Sequence, residues 1–295
     1  MPIDYEKLIN HRIPDVEQRY TRRDTMLYAL GLGLGADPLD EDQLKFVYEE
    51  NLVALPTMAI VLASPGPFHR EGSFGITGTH VLHGEQGFTI DKPLPVEGTV
   101  VGHTIVERVL DKGPGKGALI LTRTTVREKE SGDTVCTLTS TTFARADGGF
   151  GGPSGPQKEP HPIPERTPDL TCDLPTLPQA ALIYRLSGDY NPLHADPAYA
   201  KRGGFKAPIL HGRATFGVAG HAILKACCGY DPSRLKSMEG RFSSPVYPGE
   251  TIRTELWIDG SVVSFRSSVP ERGVTVLNNG RAELAGFIRE LAKQS

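Results

Sequence analysis

The stretch Tyr184-Arg-Leu-Ser-Gly-Asp-Tyr-Asn-Pro-Leu-His194 brings a carboxylate (Asp189), an amide (Asn191) and an imidazole (His194) close together in sequence, next to Gly188 and Pro192. A carboxylate beside an imidazole can take a proton from water and give one back, which is the equipment of general acid/base catalysis. Asn191-Pro192 cannot run on as a smooth helix, because the residue before a proline is pushed out of the α region and proline lacks a donor. The segment is therefore expected to turn and to aim Asp189 and His194 at one point. Taken alone, Gly188-Asp-Tyr-Asn-Pro also fits a surface turn held by Asx-type hydrogen bonds.

A second group, Pro208-Ile-Leu-His-Gly212, leads into the apolar run 214–227. The Ala, Val, Ile and Leu content of that run suits a helix buried on nearly every side. Gly212 would then carry one of the unpaired N–H donors of a helix start, where the dipole favours negative charge, and glycine lets a ligand approach the backbone closely. His211 fits a ligand contact or a satisfied histidine near a helix start.

These groups need elements to hold them. Asp147-Gly-Gly-Phe-Gly-Gly-Pro-Ser-Gly-Pro156, followed by prolines at 160, 162, 164 and 168, breaks both helix and strand and divides the chain nearly in half. We expect units at 1–152 and 153–295. Each half runs through a helical opening, a Gly/Pro-interrupted passage, an apolar helix and several alternating strands, the order of a duplicated domain. Leu27-Tyr28 leads to Asp37-Pro38 much as Ile183-Tyr184 leads to Asp196-Pro197, and Lys92-Pro-Leu-Pro-Val-Glu-Gly-Thr99 parallels Ser244-Pro-Val-Tyr-Pro-Gly-Glu-Thr251. The first pairing leaves the Asn-Pro-Leu-His turn without a counterpart in the first half, so one site is expected in two similar units. Strands are predicted at 99–109, 118–127, 134–145, 251–259, 261–269 and 274–286, with hairpin turns at Ser131-Gly-Asp133 and Asp259-Gly260. A helix wrapped by an antiparallel meander makes the fold class α+β.

Composition narrows the function. With 295 residues, 38% hydrophobic and 23% charged, the chain has an ordinary globular balance, and a net charge of -3 provides no footprint for nucleic acid or an anionic membrane. The N-terminal residues lack a signal-peptide run, no apolar stretch approaches a membrane span, and Leu291-Ala-Lys-Gln-Ser295 is not a Ser-Lys-Leu address, so a cytoplasmic protein is expected. Cys136, Cys172, Cys227 and Cys228 lack metal-type spacing and are expected to stay reduced, with the adjacent pair in core packing. Gly31-Leu-Gly-Leu-Gly35 lacks dinucleotide spacing and follows a helical pattern. His80 and His83, three apart on a strand, would face opposite sides and could not easily grip one ion. No metal is expected.

The residues from Tyr184 to Gly217, with Gly188-Asp-Tyr-Asn-Pro-Leu-His194 and Pro208-Ile-Leu-His-Gly212 as the most specific part, resemble the (R)-specific enoyl-CoA hydratases of the hydratase 2 family, within the MaoC-like hot-dog group. The first half resembles the family's noncatalytic repeat through Leu82-His-Gly-Glu-Gln86, Lys92-Pro-Leu-Pro95, Leu110-Asp-Lys-Gly113 and Gly148-Gly-Phe-Gly151. The resemblance implies a double hot-dog subunit, two tandem repeats each with a central helix wrapped by a sheet, hydrating trans-2-enoyl-CoA to (3R)-hydroxyacyl-CoA without a cofactor, as a homodimer. It implies that Asp189, Asn191 and His194 hold the catalytic water and that Gly212 faces the thioester oxygen. His83, Gly84, Lys112 and Phe242 should touch the CoA ester, with Tyr190, Pro192 and Leu193 also on the substrate side; Lys112 otherwise fits an exposed turn lysine. The family's first repeat lacks a complete central helix and so admits long or bulky acyl chains. Here Leu55-Pro56-Thr57 interrupts the apolar stretch 46–62, and an interior proline costs a helix about 3 kcal/mol. Two rivals are a thioesterase on the same frame and a noncatalytic CoA-ester-binding subunit.

Overall fold

Ten antiparallel strands form one continuous sheet in a computed structural model that describes residues 1–70, 73–156 and 158–286. They are β1 (Val16–Tyr20), β2 (Val81–Ile90), β3 (Gly98–Asp111), β4 (Ala118–Glu128), β5 (Thr134–Ala144), β6 (Leu170–Pro175), β7 (Leu235–Phe242), β8 (Thr251–Asp259), β9 (Val262–Val269) and β10 (Val274–Leu284). Their spatial order is β1-β3-β4-β5-β2-β7-β10-β9-β8-β6. Counted inward from either edge, the first-half and second-half strands follow one pattern, the duplication expected from sequence. The halves join where β2 pairs with β7, Gln86 opposite Gly240.

The helices are α1 (Tyr5–Ile9), α2 (Arg22–Gly31), α3 (Glu41–Leu44), α4 (Ala180–Tyr184), α5 (Pro197–Arg202) and α6 (Gly212–Cys228). Thirteen of the seventeen residues of α6 are buried, and the helix ends at Gly229 in the left-handed conformation that glycine adopts without penalty. One large apolar cluster packs around it, drawing Phe88 and Val126 from the first half together with Leu256 and Phe265 from the second. This α+β arrangement is the double hot-dog fold.

The first half lacks a complete central helix, as the resemblance implied, so a full central helix is found in the second repeat and not in each. Its counterpart to α6 is a 3-10 turn, Pro56–Val61, and Pro56 stands at the first position of that turn rather than inside a helix. There its missing N–H is one that would lack an intrahelical partner anyway, so proline starts this element instead of breaking one. The turn rests on α6: a Cβ placed on Gly220 would lie 2.3 Å from Thr57 Cγ2.

All six predicted strands form. Four others were not in that set: β1, β2, β6 and β7. β1 and β6 are short edges of five and six residues. β2 carries Gly84 and Gly87, and β7 carries Gly240, which blur the alternation. His80 ends a separate 3-10 turn (Gly78–His80), whereas His83 lies on β2. The four cysteines are buried and free. No helix among the described residues is long and apolar enough to cross a membrane. Leu291–Ser295 lie outside the described residues.

Candidate active site

The turn after α4 is built by local chemistry. Gly188 adopts φ +111°, a region side chains avoid, and so reverses the chain after Ser187. Asp189 Oδ1 then accepts from the Asn191 N–H (3.2 Å) and Asn191 Oδ1 from the Leu193 N–H (3.1 Å). These are the Asx-type bonds of the plain turn reading, and Asn191 caps the short 3-10 turn Pro192–His194. The side-chain oxygen of Asn191 is thereby committed, leaving its amide N–H groups as the donors of that side chain.

His194 is buried at 8% exposure, and its Nδ1–H donates to the Ile209 carbonyl at 2.8 Å. That partner assigns the proton to Nδ1 and leaves a lone pair on Nε2. Burial lowers the His194 pKa, opposed by the Ile209 bond and the Asp189 charge. His211 stacks on it, ring centroids 3.7 Å apart at 26°, and donates from Nε2 to the Asp189 carbonyl oxygen at 3.1 Å. Burial and then repulsion from His194 push the His211 imidazole down to about 4. At neutral pH the site therefore holds two neutral imidazoles. One donor atom each from Asp189, His194 and His211 lies within 4.8 Å of the others. The trio could be taken for metal ligands, yet rings stacked face to face direct their lone pairs side by side rather than at one centre, a poor fit to coordination.

Gly212 begins α6 directly after its N-cap, His211. Its N–H has no intrahelical acceptor and sits at the positive end of a seventeen-residue helix. Phe242 faces it: a Cβ on Gly212 would meet Phe242 Cε1 at 3.2 Å. Phe242 in turn packs on His83, ring centroids 4.7 Å apart, and His83 Nε2 pairs with Ser140 Oγ at 3.0 Å. Gly84 is the extra residue of a β-bulge, since His83 pairs with Thr142 and Glu85 with Thr141. Gly84, Lys112 and Phe242 then line a cleft of about 270 Å³ with Lys158 and Arg241. Lys112 is exposed there, its Nζ 5.7 Å above the Phe143 ring.

The seven residues Asp189, Asn191, His194, Gly212, Phe242, His83 and Gly84 thus trace one path from the turn to the cleft, with Lys112 at its far end. The expected substrate-side residues Tyr190, Pro192 and Leu193 do not line that cleft. Tyr190 is 59% exposed and stacks under the Arg185 guanidinium, while Leu193 Cδ1 lies against Gly203. A separate cavity of about 130 Å³ lies on the other side of the turn, between Tyr28, Met58 and Leu62 of the first half and Leu186, Ser187 and Gly188 of the second.

Sequence reasoning missed Asp111, Lys158 and Arg241. Asp111 is buried at 8% exposure and accepts from the N–H groups of Gly113, Gly149 and Gly151, which lowers its pKa against the opposing cost of burial. It binds Leu110-Asp-Lys-Gly113 to Gly148-Gly-Phe-Gly151, so one carboxylate explains two glycine-rich motifs, and their glycine content was the available signal. Lys158 and Arg241 carried none, as Lys158 lies in the proline-rich passage and Arg241 between Gly240 and Phe242, neither inside a recognisable motif.

Residues 18–146 match the MFE-2 hydratase 2 N-terminal domain and residues 159–279 the MaoC like domain. A Dictyostelium discoideum protein named "Probable enoyl-CoA hydratase 2" is 43% identical over 293 residues, covering 96% of this chain and 97% of its own. "Enoyl-CoA hydratase 2, peroxisomal" of Arabidopsis thaliana is 40% identical over 300 residues, covering 96% of each. A MaoC-like dehydratase from Phytophthora capsici, solved by crystallography, superposes with a TM-score of 0.84 at 38% identity, over 95% of this chain and 98% of that one. The chain belongs to the MaoC-like hydratase 2 family.

Proposed function

We propose that this protein hydrates trans-2-enoyl-CoA to (3R)-3-hydroxyacyl-CoA, reversibly and with water as the only co-reactant. It is a hydro-lyase of acyl-CoA thioesters, and the observation that carries the mechanism is the clustering of Asp189 and His194, with donor atoms within 4.8 Å of each other, beside the start of α6. A carboxylate and a neutral imidazole lone pair give the water two acceptors, and the Asn191 amide can hold its oxygen. As the water oxygen bonds to C3, the pair takes up a proton; it delivers a proton to C2, so H and OH add with no net exchange. Asp189 and His194 act as one acid/base unit in this account. Negative charge gathers meanwhile on the thioester oxygen, and the Gly212 N–H is preorganised to meet it, a kind of contact worth about 3 to 4 kcal/mol.

The CoA moiety is assigned to the cleft at Gly84, Lys112 and Phe242, where Lys112 suits phosphate and Lys158 and Arg241, ion-paired with Glu239 and Glu85, add positive charge. The acyl chain is assigned to the cavity at Tyr28, Met58 and Leu62, where the short Pro56–Val61 turn leaves room. The division of labour follows the expected units, 1–152 shaping the acyl site and 153–295 supplying the acid/base groups. A homodimer in the cytoplasm, within fatty-acid or related acyl-CoA metabolism, completes the reading.

The test is loss of the conjugated enoyl absorbance with crotonyl-CoA and a series of longer and branched enoyl-CoA esters, with the product configuration determined. Turnover to the 3R alcohol is expected. Folded protein that turns over no chain length, or that releases free CoA thiol instead, would refute it.

A further inference from the structure

We propose that His211 is a positioning residue that holds both members of the acid/base pair, fixing the Asp189 turn by a hydrogen bond and the His194 ring by stacking. The inference rests on the hydratase reading above, and it deepens that reading by assigning a role to a side chain that need not touch substrate. Two contacts and a location carry it. The His211 Nε2–H bond to the Asp189 carbonyl oxygen, 3.1 Å long, ties the backbone of the turn to the residue before Gly212. The stack at 3.7 Å covers one face of His194, whose edge is already held by Ile209. The third is location: at 1% exposure, His211 is the N-cap of α6, so a shift of its backbone also moves the Gly212 N–H.

The His211 hydrogen bond fixes its own tautomer, with the proton on Nε2 and a lone pair on Nδ1. That Nδ1 is buried with no partner among the described residues. A residue serving only the core would do as well without this orphaned acceptor, whose burial costs free energy. The groups facing His211 are His194 on one side, the Tyr184 ring at 5.0 Å on α4, and the charges of Asp189 and Arg185. Stacked ring to ring, His211 shields His194 from solvent, and burial is the leading cause of the lowered His194 pKa. It therefore acts on His194 by excluding water, which keeps the base unprotonated to lower pH.

Two substitutions separate the contacts. His211→Phe keeps a buried ring over His194 and removes the donor to Asp189. His211→Asn keeps a donor at a position where asparagine suits the helix start, and removes the ring. For His211→Phe, kcat should fall about tenfold with KM nearly unchanged, the size expected for one lost hydrogen bond at a reacting geometry. For His211→Asn, the titration midpoint of His194, followed by NMR of its imidazole, should rise by about one pH unit as water reaches the ring, and the acid limb of kcat should move up with it. The NMR midpoint does not depend on turnover, so failure of wild type to hydrate any enoyl-CoA would sink the hydratase reading while still deciding whether His211 controls His194. Wild-type kcat in His211→Phe together with a wild-type His194 midpoint in His211→Asn overturns the proposal. So does a fall in melting temperature with kcat per folded molecule and the His194 midpoint unchanged, which would mark a purely structural role.

Discussion

Tyr28 and Tyr184 occupy matching places in the two halves, on α2 and α4, and their rings meet at 5.8 Å. From that shared point the halves diverge. After Tyr28 the chain passes through Gly33 and Gly35 to Asp37 and then to a short 3-10 turn, and the Tyr28 hydroxyl donates to Thr57 of that turn at 2.9 Å. After Tyr184 it forms the Asp189–His194 turn and runs into α6, and the Tyr184 ring abuts His211. One half keeps a long helix whose free N-terminus faces acid/base groups. The other shortens its helix and leaves a cavity beside them. In the proposed reading duplication gives a single site assembled from unequal parts, because one buried helix suffices as the core of the one continuous sheet and a second would fill the space assigned to the acyl chain.

The largest effect should come from removing the chemistry of the second half. Asp189→Asn and His194→Gln are each expected to lower kcat by about 10²- to 10⁴-fold with circular dichroism unchanged. Either variant at wild-type rate would remove the functional distinction between the halves.

Acid should act on both halves, since burial first pushes His83 of the first half down to about 3 and three histidines of the second are buried neutral. His211 and His221 are both pushed down to about 4 by burial first, and His221 bonds across the halves to the Leu32 carbonyl and to Tyr230. Above the ordinary value of 6.5 both states are neutral and these groups contribute no pH dependence. Below it the unfolded chain takes up protons that the fold refuses, so stability should fall as pH drops from 6.5 toward about 4. The loss is roughly 1 to 3 kcal/mol per histidine, read as a falling denaturation midpoint. A flat midpoint across that range would contradict their burial as neutral groups.

The contact between the unequal central elements can be tested directly. Gly220→Val would drive a side chain into Thr57 and should cost about 1 to 3 kcal/mol, lowering Tm by several degrees. An unchanged Tm would mean that the Pro56–Val61 turn does not rest on α6. The smallest effect is expected from Pro56→Ala, below about 1 kcal/mol, since proline at the first position of a turn interrupts nothing. A longer helix and a smaller acyl range in that variant would restore the view that Pro56 itself truncates the first repeat.

Much of this was legible in the residues. The six long strands alternate clearly, and α6 is rich in Ala, Val, Ile and Leu with little polar interruption between Gly212 and Gly229. The turn residues Gly188, Asp189, Asn191 and Pro192 encode their own geometry through bonds that span two positions. The short edge strands β1 and β6 were less readable because they carry few residues and charged neighbours. β2 and β7 were obscured by glycines that serve a bulge and the seam between the halves.

The amino-acid sequence determined by itself the types of group available, the duplicated order of elements and the local shape of the Asp189–His194 turn, since each follows from backbone preferences and bonds within a few residues. Only the tertiary structure decided that His211 stacks on His194, that Phe242 of β7 joins Gly212 to His83 of β2, and that Asp111 ties two distant glycine motifs together. Those contacts link residues far apart in the chain, and they depend on the pairing of β2 with β7 and on where α6 begins against the sheet, neither of which local preference sets.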